Sequence, residues 1–253
     1  MTTQPFERIA IVTGASSGIG EAVARAFVAS RFAVIGNARN PDRLAALERE
    51  LGDGFSGVAA DASDPATPAL LFAEAERQFG KPADLVVANA GRGLGGSIKD
   101  ADSTRFQELI AINVSGTLSL LREAARRLTA DGANDLSTPR DIVAIGSVVG
   151  RHISPFSAVY GATKFAVHAM AESLRRDLGP QGVRVSLVEP GFVLSGFQAA
   201  AGYSDSMVQG FQDRCGPLLK GEEVADAILY MVTRAPHVHV GDLVIRPVRQ
   251  DYP

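Results

Sequence analysis

Three side chains in the middle of the chain have the types and spacing for proton transfer. Tyr160 and Lys164 are four residues apart, so a helix would put both on one face. Ser147 precedes Tyr160 by thirteen residues and directly follows an apolar run that reads as a strand. A connecting loop of that length can bring its hydroxyl to the same pocket. A free tyrosine has a pKa of ~10, whereas an acid–base catalyst working at neutral pH sits nearer ~7. Closing that gap takes ~4 kcal/mol in favour of the phenolate. A lysine ammonium one helical turn away is a suitable cause. A lone Tyr-x-x-x-Lys also occurs on ordinary half-buried helices, so the surrounding elements must settle its meaning.

A second group of residues suits phosphate. After the first apolar run the chain reads Thr13-Gly14-Ala15-Ser16-Ser17-Gly18-Ile19-Gly20 and continues into an apolar helical stretch. The spacing is G-x-x-x-G-x-G. One glycine permits a tight turn, others allow backbone and pyrophosphate to approach, and the following helix offers free N–H groups. The next strand would place Asp or Glu at its end in an NAD site. Here it ends Asn37-Ala38-Arg39-Asn40, with no acid and with Arg39 beside the expected position. A guanidinium fits a 2′-phosphate through its fork geometry, which indicates NADP.

The elements that must hold these residues follow one rhythm. Strand-like runs at 9–13, 33–36, 57–60, 84–88, 141–146, 183–188 and 240–245 alternate with helical stretches at 19–30, 41–51, 65–79, 103–129, 157–178 and 222–233. That alternation predicts a doubly wound α/β fold: a parallel sheet of about seven strands with helices on both faces. Several strands are apolar throughout, as a sheet covered on both sides requires. No linker divides the 253 residues, so a single Rossmann-like domain over 1–253 is expected, with a polar surface loop at 129–140.

Composition narrows the partners. Lys and Arg number 25 against 28 Asp and Glu, a net charge of −3 that argues against a nucleic-acid surface. The one cysteine, Cys215, excludes an intrachain disulfide and a cysteine metal cluster. His237 and His239 alternate near the end but lack a nearby third ligand, so no metal is expected. No apolar run approaches the ~18 residues of a membrane span, and the polar start lacks a secretory pattern, giving a cytoplasmic expectation.

Together, Thr13 to Gly20, Asp61, Asn89-Ala90-Gly91, Asn113, Ser147, Tyr160-Gly161-Ala162-Thr163-Lys164 and Pro190-Gly191 resemble, in order and over essentially the whole chain, the short-chain dehydrogenase/reductase family. The resemblance implies a nicotinamide cofactor and a small carbonyl or alcohol substrate. Tyr160 would act as general acid/base, with Lys164 tuning it and holding the nicotinamide ribose. Ser147 would bond the substrate oxygen, and Asn113 would hold a water linking Lys164 to solvent. The cofactor would lie along Gly14, Ser16, Ser17, Gly18, Ile19, Gly20, Arg39, Asp61, Ala62, Asn89, Ala90, Gly91, Tyr160, Lys164, Pro190, Gly191, Val193 and Ser195. Ser195 replaces the threonine that many relatives carry beside the carboxamide.

Ser147-Val148-Val149-Gly150-Arg151 and the ending Val244 to Gln250 are similar to the branch of NADP-dependent 3-hydroxy acid (serine-type) dehydrogenases and clavaldehyde reductases. The 3-oxoacyl-carrier-protein reductases, whose ending is Gly-rich, are the alternative. A non-catalytic NADP sensor would often lack the Tyr or the Lys, and extended epimerases need a larger C-terminal region.

Specificity is expected in 192–215, where Phe192, Val193, Leu194, Phe197, Tyr203, Met207 and Phe211 form either a mobile apolar lid or an amphipathic helix on the sheet edge. Arg92 and Arg151 lie near the active edge, to meet a substrate carboxylate or solvent. The stretches 103–129 and 157–178 carry more apolar positions than one face needs, which predicts a two-fold interface and a homo-dimer or homo-tetramer.

Overall fold

In the computed structural model, which describes residues 6–130 and 136–251, seven parallel strands form one sheet in the order β3-β2-β1-β4-β5-β6-β7. The strands are β1 (Ile9–Thr13), β2 (Ala33–Ala38), β3 (Phe55–Ala59), β4 (Leu85–Ala88), β5 (Asp141–Ile145), β6 (Arg184–Pro190) and β7 (Asp242–Ile245). Side chains alternate between the faces of each buried strand. Ala10, Val12, Val34, Val87 and Val143 pack with helices α1 (Gly18–Ala29) and α9 (Gly221–Val232). Ile9, Ile11, Ile35, Val86 and Ile142 pack with α3 (Thr67–Phe79) and α5 (Thr117–Leu128). Two cores thus lie one on each side of the sheet, the three-layer arrangement the apolar runs anticipate.

Several boundaries differ from expectation. β3 starts at Phe55, two residues early, because Phe55 and Ser56 pair with Val34 and Ile35 of β2. β7 starts only at Asp242, and His237 and His239 fall in the preceding turn and loop. The helix expected over 103–129 is broken. A 3-10 turn, Ser103–Arg105, leads into α4 (Phe106–Ile110), a π-helical segment, Ala111–Gly116, and then α5. The predicted lid contains two helices, α7 (Phe197–Ala200) and α8 (Asp205–Cys215). The remaining helices, α2 (Pro41–Leu51) and α6 (Ala158–Leu178), match the expected ranges closely. Of the loop expected at 129–140, positions 131–135 lie outside the described residues.

The chain reverses its order of strands between β1 and β4, and the crevice at their carboxyl ends is where such sheets bind ligands. The amino ends are fastened by charge. Arg8 donates to Asp84 (2.6 Å) and Asp141 (2.7 Å), and Arg184 makes two bonds to Asp141 (2.7 and 2.8 Å). Both guanidinium groups also reach the carbonyl of Val232 at the end of α9.

Candidate active site

Thr13, the last residue of β1, cross-links the two strand ends at the crevice. Its Oγ1 accepts from the N–H of Asn89 (3.1 Å) and Ala90 (3.0 Å), and Asn89 Nδ2 donates to the Thr13 carbonyl (2.9 Å). The turn that follows depends on glycine. Gly14 and Gly18 have φ of +69° and +55°, in the left-handed region. A Cβ on Gly20 would come within 2.3 Å of the Gly14 carbonyl oxygen. Ser17, exposed and extended, leaves the first N–H groups of α1 without a capping side chain. Ser16 is half-buried, and Ile19 packs on the core. Such a cradle fits a pyrophosphate.

Beyond the turn lies a charged cluster. Arg39 follows β2, is exposed, and has Nη1 4.0 Å from Glu108 of α4. Arg92, just after Gly91, pairs with the same Glu108. Asp61 accepts from Ser63 N–H (2.9 Å) and Oγ (2.7 Å); these bonds first, then the charges of Arg39 and Arg92, hold its carboxyl below the usual range. Ala62 abuts the helix behind: a Cβ on Gly116 would meet its carbonyl oxygen at 2.5 Å.

Asn113 explains the π-helical segment. It is 1% exposed and has every side-chain bond directed inward. Its Oδ1 accepts from Arg92 N–H (2.8 Å), and its Nδ2 donates to the Arg92 carbonyl (2.8 Å) and Thr163 Oγ1 (3.0 Å). The widened turn therefore ties the loop after β4 to α6 between the reactive pair, since Thr163 lies three residues after Tyr160 and adjoins Lys164. Neither tie was anticipated for Asn113.

Ser147, Tyr160 and Lys164 converge at the ends of β5 and α6. Ser147 Oγ accepts from Val149 N–H at 3.4 Å. Lys164 is 6% exposed, and its Nζ donates to the Ile145 carbonyl (2.7 Å) while lying 5.8 Å from the Tyr160 ring centroid. Burial pulls the Lys164 pKa down to about 8. Burial pushes the Tyr160 hydroxyl above its ordinary range; a side-chain hydrogen bond from Ser147 opposes that rise, and Tyr203 adds to it. The lowering expected of this tyrosine from the sequence thus meets an opposing cause, the burial of its hydroxyl. Lys164 directs its Nζ at a main-chain carbonyl rather than at the phenol.

The segment after β6, where a lid or a helix was expected, contains the helices α7 and α8. Phe197 lies against the Tyr160 ring, centroids 5.6 Å apart, and Phe192 stacks on Phe211 at 4.2 Å. Arg105 donates to the Ala200 carbonyl (2.7 Å) and Gly95 N–H to that of Ala201 (3.2 Å), docking the lid on the loop after β4. Val193 is buried, and Ser195 sits against Gly18, its Cβ 3.3 Å from where a Cβ there would be. Gln198 orders this stretch, accepting from Ser195 N–H (3.1 Å) and donating to the Val193 carbonyl (2.6 Å). Gln250 accepts from Phe192 N–H (2.9 Å), and Gly191 N–H donates to the Ile245 carbonyl, so the C-terminal strap holds the turn after Pro190. Glu108, Gln198 and Gln250 carry no local signal; their partners are 69, 3 and 58 residues distant or hidden in main chain. Arg151 is taken by Glu189, at 2.8 Å from Nε, with Asp242 3.6 Å away. Among the described residues no helix is long and apolar enough to cross a membrane.

The family model for short chain dehydrogenases matches residues 8–204. An uncharacterised oxidoreductase of Staphylococcus epidermidis is 32% identical over 242 residues, 96% of this chain and 98% of that one. The closed form of a serine dehydrogenase complexed with NADP+ superposes with a TM-score of 0.86 at 30% identity, covering 96% of each chain. A 3-ketoacyl-(acyl-carrier-protein) reductase from Brucella melitensis, complexed with NADH, gives a TM-score of 0.84 at 25% identity, covering 96% of this chain and 98% of that one.

Proposed function

The chain belongs to the short-chain dehydrogenase family of oxidoreductases, and on that premise we propose that it interconverts an aldehyde or ketone with an alcohol, using NADP(H) and Tyr160 as the general acid and base. The observation that carries this reading is the Tyr160 hydroxyl, bonded by Ser147 and one helical turn from buried Lys164, at the crevice beside the glycine turn. In the reducing direction a tyrosine held above its ordinary pKa is protonated, and it can give that proton to the carbonyl oxygen. Ser147 Oγ would share that oxygen. The dinucleotide supplies or accepts the hydride when bound.

The uncapped start of α1 and the cradle of Gly14, Gly18 and Gly20 suit the pyrophosphate, and Arg39 with no acid at the end of β2 suits a 2′-phosphate. Asp61, Ala62, Asn89, Ala90 and Gly91 would flank the adenosine, and Pro190, Gly191, Val193 and Ser195 the carboxamide end. Lys164 would exchange the Ile145 carbonyl for the ribose hydroxyls. The serine-dehydrogenase likeness favours a short hydroxy acid; the likeness to a ketoacyl reductase and the apolar lid favour an acyl thioester as the second reading.

A panel of 3-hydroxy acids, aldehydes, ketones and 3-oxoacyl thioesters, followed by NADPH absorbance, tests both. A charged hydrogen bond to a phosphate contributes ~1.5–3 kcal/mol, so about tenfold or more in kcat/KM should favour NADPH over NADH. Equal values for the two, or an unchanged ratio in Arg39→Ala, would refute the cofactor assignment.

The surplus apolar positions divide in two. Leu120, Leu121, Leu128, Val167 and Ala171 lie in the chain's own cores. Ile110, Leu118, Ala162, Phe165 and Ala169 remain exposed along α4–α5 and α6. We assign these to a two-fold contact between copies.

A further inference from the structure

Behind Ser147 lies a half-buried histidine outside the reaction scheme above. His168 stands one turn after Lys164 on α6, and its Nε2 accepts from the Ser147 N–H at 3.3 Å. Two glycines make room for the ring. A Cβ on Gly146 or on Gly150 would come within 2.4 Å of His168 Nε2. The other ring nitrogen, Nδ1, is 3.9 Å from Glu189 Oε2. Glu189 is fully buried and is itself held by Arg151. The chain thus gives up two side chains around the reactive serine to admit one imidazole.

We propose that His168, neutral and carrying its proton on Nδ1, is the positioning residue for Ser147: its Nε2 fixes the Ser147 main chain, and the Glu189 carboxylate, anchored by Arg151 and 3.9 Å from Nδ1, favours the proton there. The inference rests on Ser147 acting on the substrate oxygen as described above. Its logic is one of donors and acceptors. An imidazole that accepts at Nε2 must hold its proton at Nδ1, facing the carboxylate. Protonated imidazole has two donors and no acceptor, so a second proton sets N–H against N–H and pushes Ser147 away. The charged groups facing the ring are Glu189 on β6, Asp242 on β7, Arg151 just after a short 3-10 turn at Val148–Gly150, and Lys164 on its own helix. Burial first, with Lys164 and Arg151, lowers the His168 pKa, while Glu189 and Asp242 raise it; the net direction is down. Turnover is therefore lost as pH falls below the ordinary histidine range of about 6.5.

The test pairs nitrogen-15 NMR of the imidazole in the full chain with kinetics of His168→Leu and His168→Gln. In the wild-type chain at pH 7.5 the His168 spectrum, assigned by its loss in His168→Gln, should show protonated Nδ1 and bare Nε2. The opposite tautomer overturns the proposal. His168→Leu leaves the buried Ser147 N–H without an acceptor and should lower kcat about tenfold or more with NADPH affinity unchanged. His168→Gln offers an amide oxygen that does not titrate; it should restore most of kcat and abolish the acid limb of the kcat profile. Wild-type kcat in the leucine variant, or an acid limb retained in the glutamine variant, overturns the proposal. Should the leucine variant fail to fold, the tautomer and the glutamine profile decide. Ser147→Ala separates the premise: full turnover there removes the role of Ser147, while the tautomer still reports on His168.

Discussion

Lys164→Met should make the cofactor-free protein more stable at neutral pH. Lys164 is 6% exposed and its pKa is pulled down to about 8 by burial. In the unfolded chain a lysine titrates near ~10.4, so the displacement is ~2.4 units, or ~3 kcal/mol at 1.36 kcal/mol per unit. The sign follows from proton counts. Between about pH 8 and ~10.4 the unfolded chain holds a proton on Lys164 that the folded chain has released, so wild-type stability climbs with pH in that window. Below pH 8 the full penalty applies. Methionine removes the charge and fills similar space, but it also removes the bond to the Ile145 carbonyl, worth ~1 kcal/mol. The net gain at pH 7 is ~2 kcal/mol, or ~4–8 °C in Tm for a domain of this size. Thermal unfolding of both proteins by circular dichroism, without cofactor, at pH 7 and pH 10, reads it directly. The gain should shrink toward zero at pH 10, and the variant should be inactive throughout. A variant less stable than wild type at pH 7, or a gain that ignores pH, would refute the account of Lys164 as a charge held at a cost.

Tyr160→Phe removes a proton and little volume, so kcat should fall about 10²–10⁴-fold while NADPH binding, followed by fluorescence titration, is nearly unchanged. Full activity in that variant would sink the acid–base assignment. Glu108→Gln releases Arg39 and Arg92 from their shared partner and should tighten NADPH severalfold, an exposed pair contributing up to ~1 kcal/mol. Equal tightening of NADH would show that the 2′-phosphate is not what these arginines meet. Ala169→Glu places a charge on the exposed face of α6 and should lower both the mass by light scattering and the activity. A fully active wild-type species of one-chain mass at micromolar concentration would refute the two-fold contact.

The strand and helix rhythm was legible because each buried strand is a short β-branched run and each glycine turn breaks it. Tyr160 and Lys164 were legible for the same local reason: four residues on one helix share a face whatever surrounds them. What escaped was non-local. Asn113 looks like one polar residue in a helix, and only the loop carrying Arg92 explains its inward turn and the π-helical widening. Glu189 reads as a lone acid before Pro190, with no hint of Arg151 and His168 converging on it. The pKa of Tyr160 escaped too. Spacing places the lysine near, but only the structure shows its Nζ directed at Ile145 instead.

The ionic fastening at the amino ends of the sheet bears on how the chain reaches this state. Arg8 stands almost at the start of the described residues, yet its partners are Asp84, Asp141 and the Val232 carbonyl, the last separated from it by 224 positions. During synthesis the Arg8 guanidinium therefore gains its partners in stages, Asp84 first, Asp141 next and the Val232 carbonyl last. Arg184 waits on the same α9 terminus. Loss of α9 would leave both guanidinium groups short of one shared acceptor, the Val232 carbonyl. This end of the sheet is thus complete only once the end of α9 has docked on both arginines.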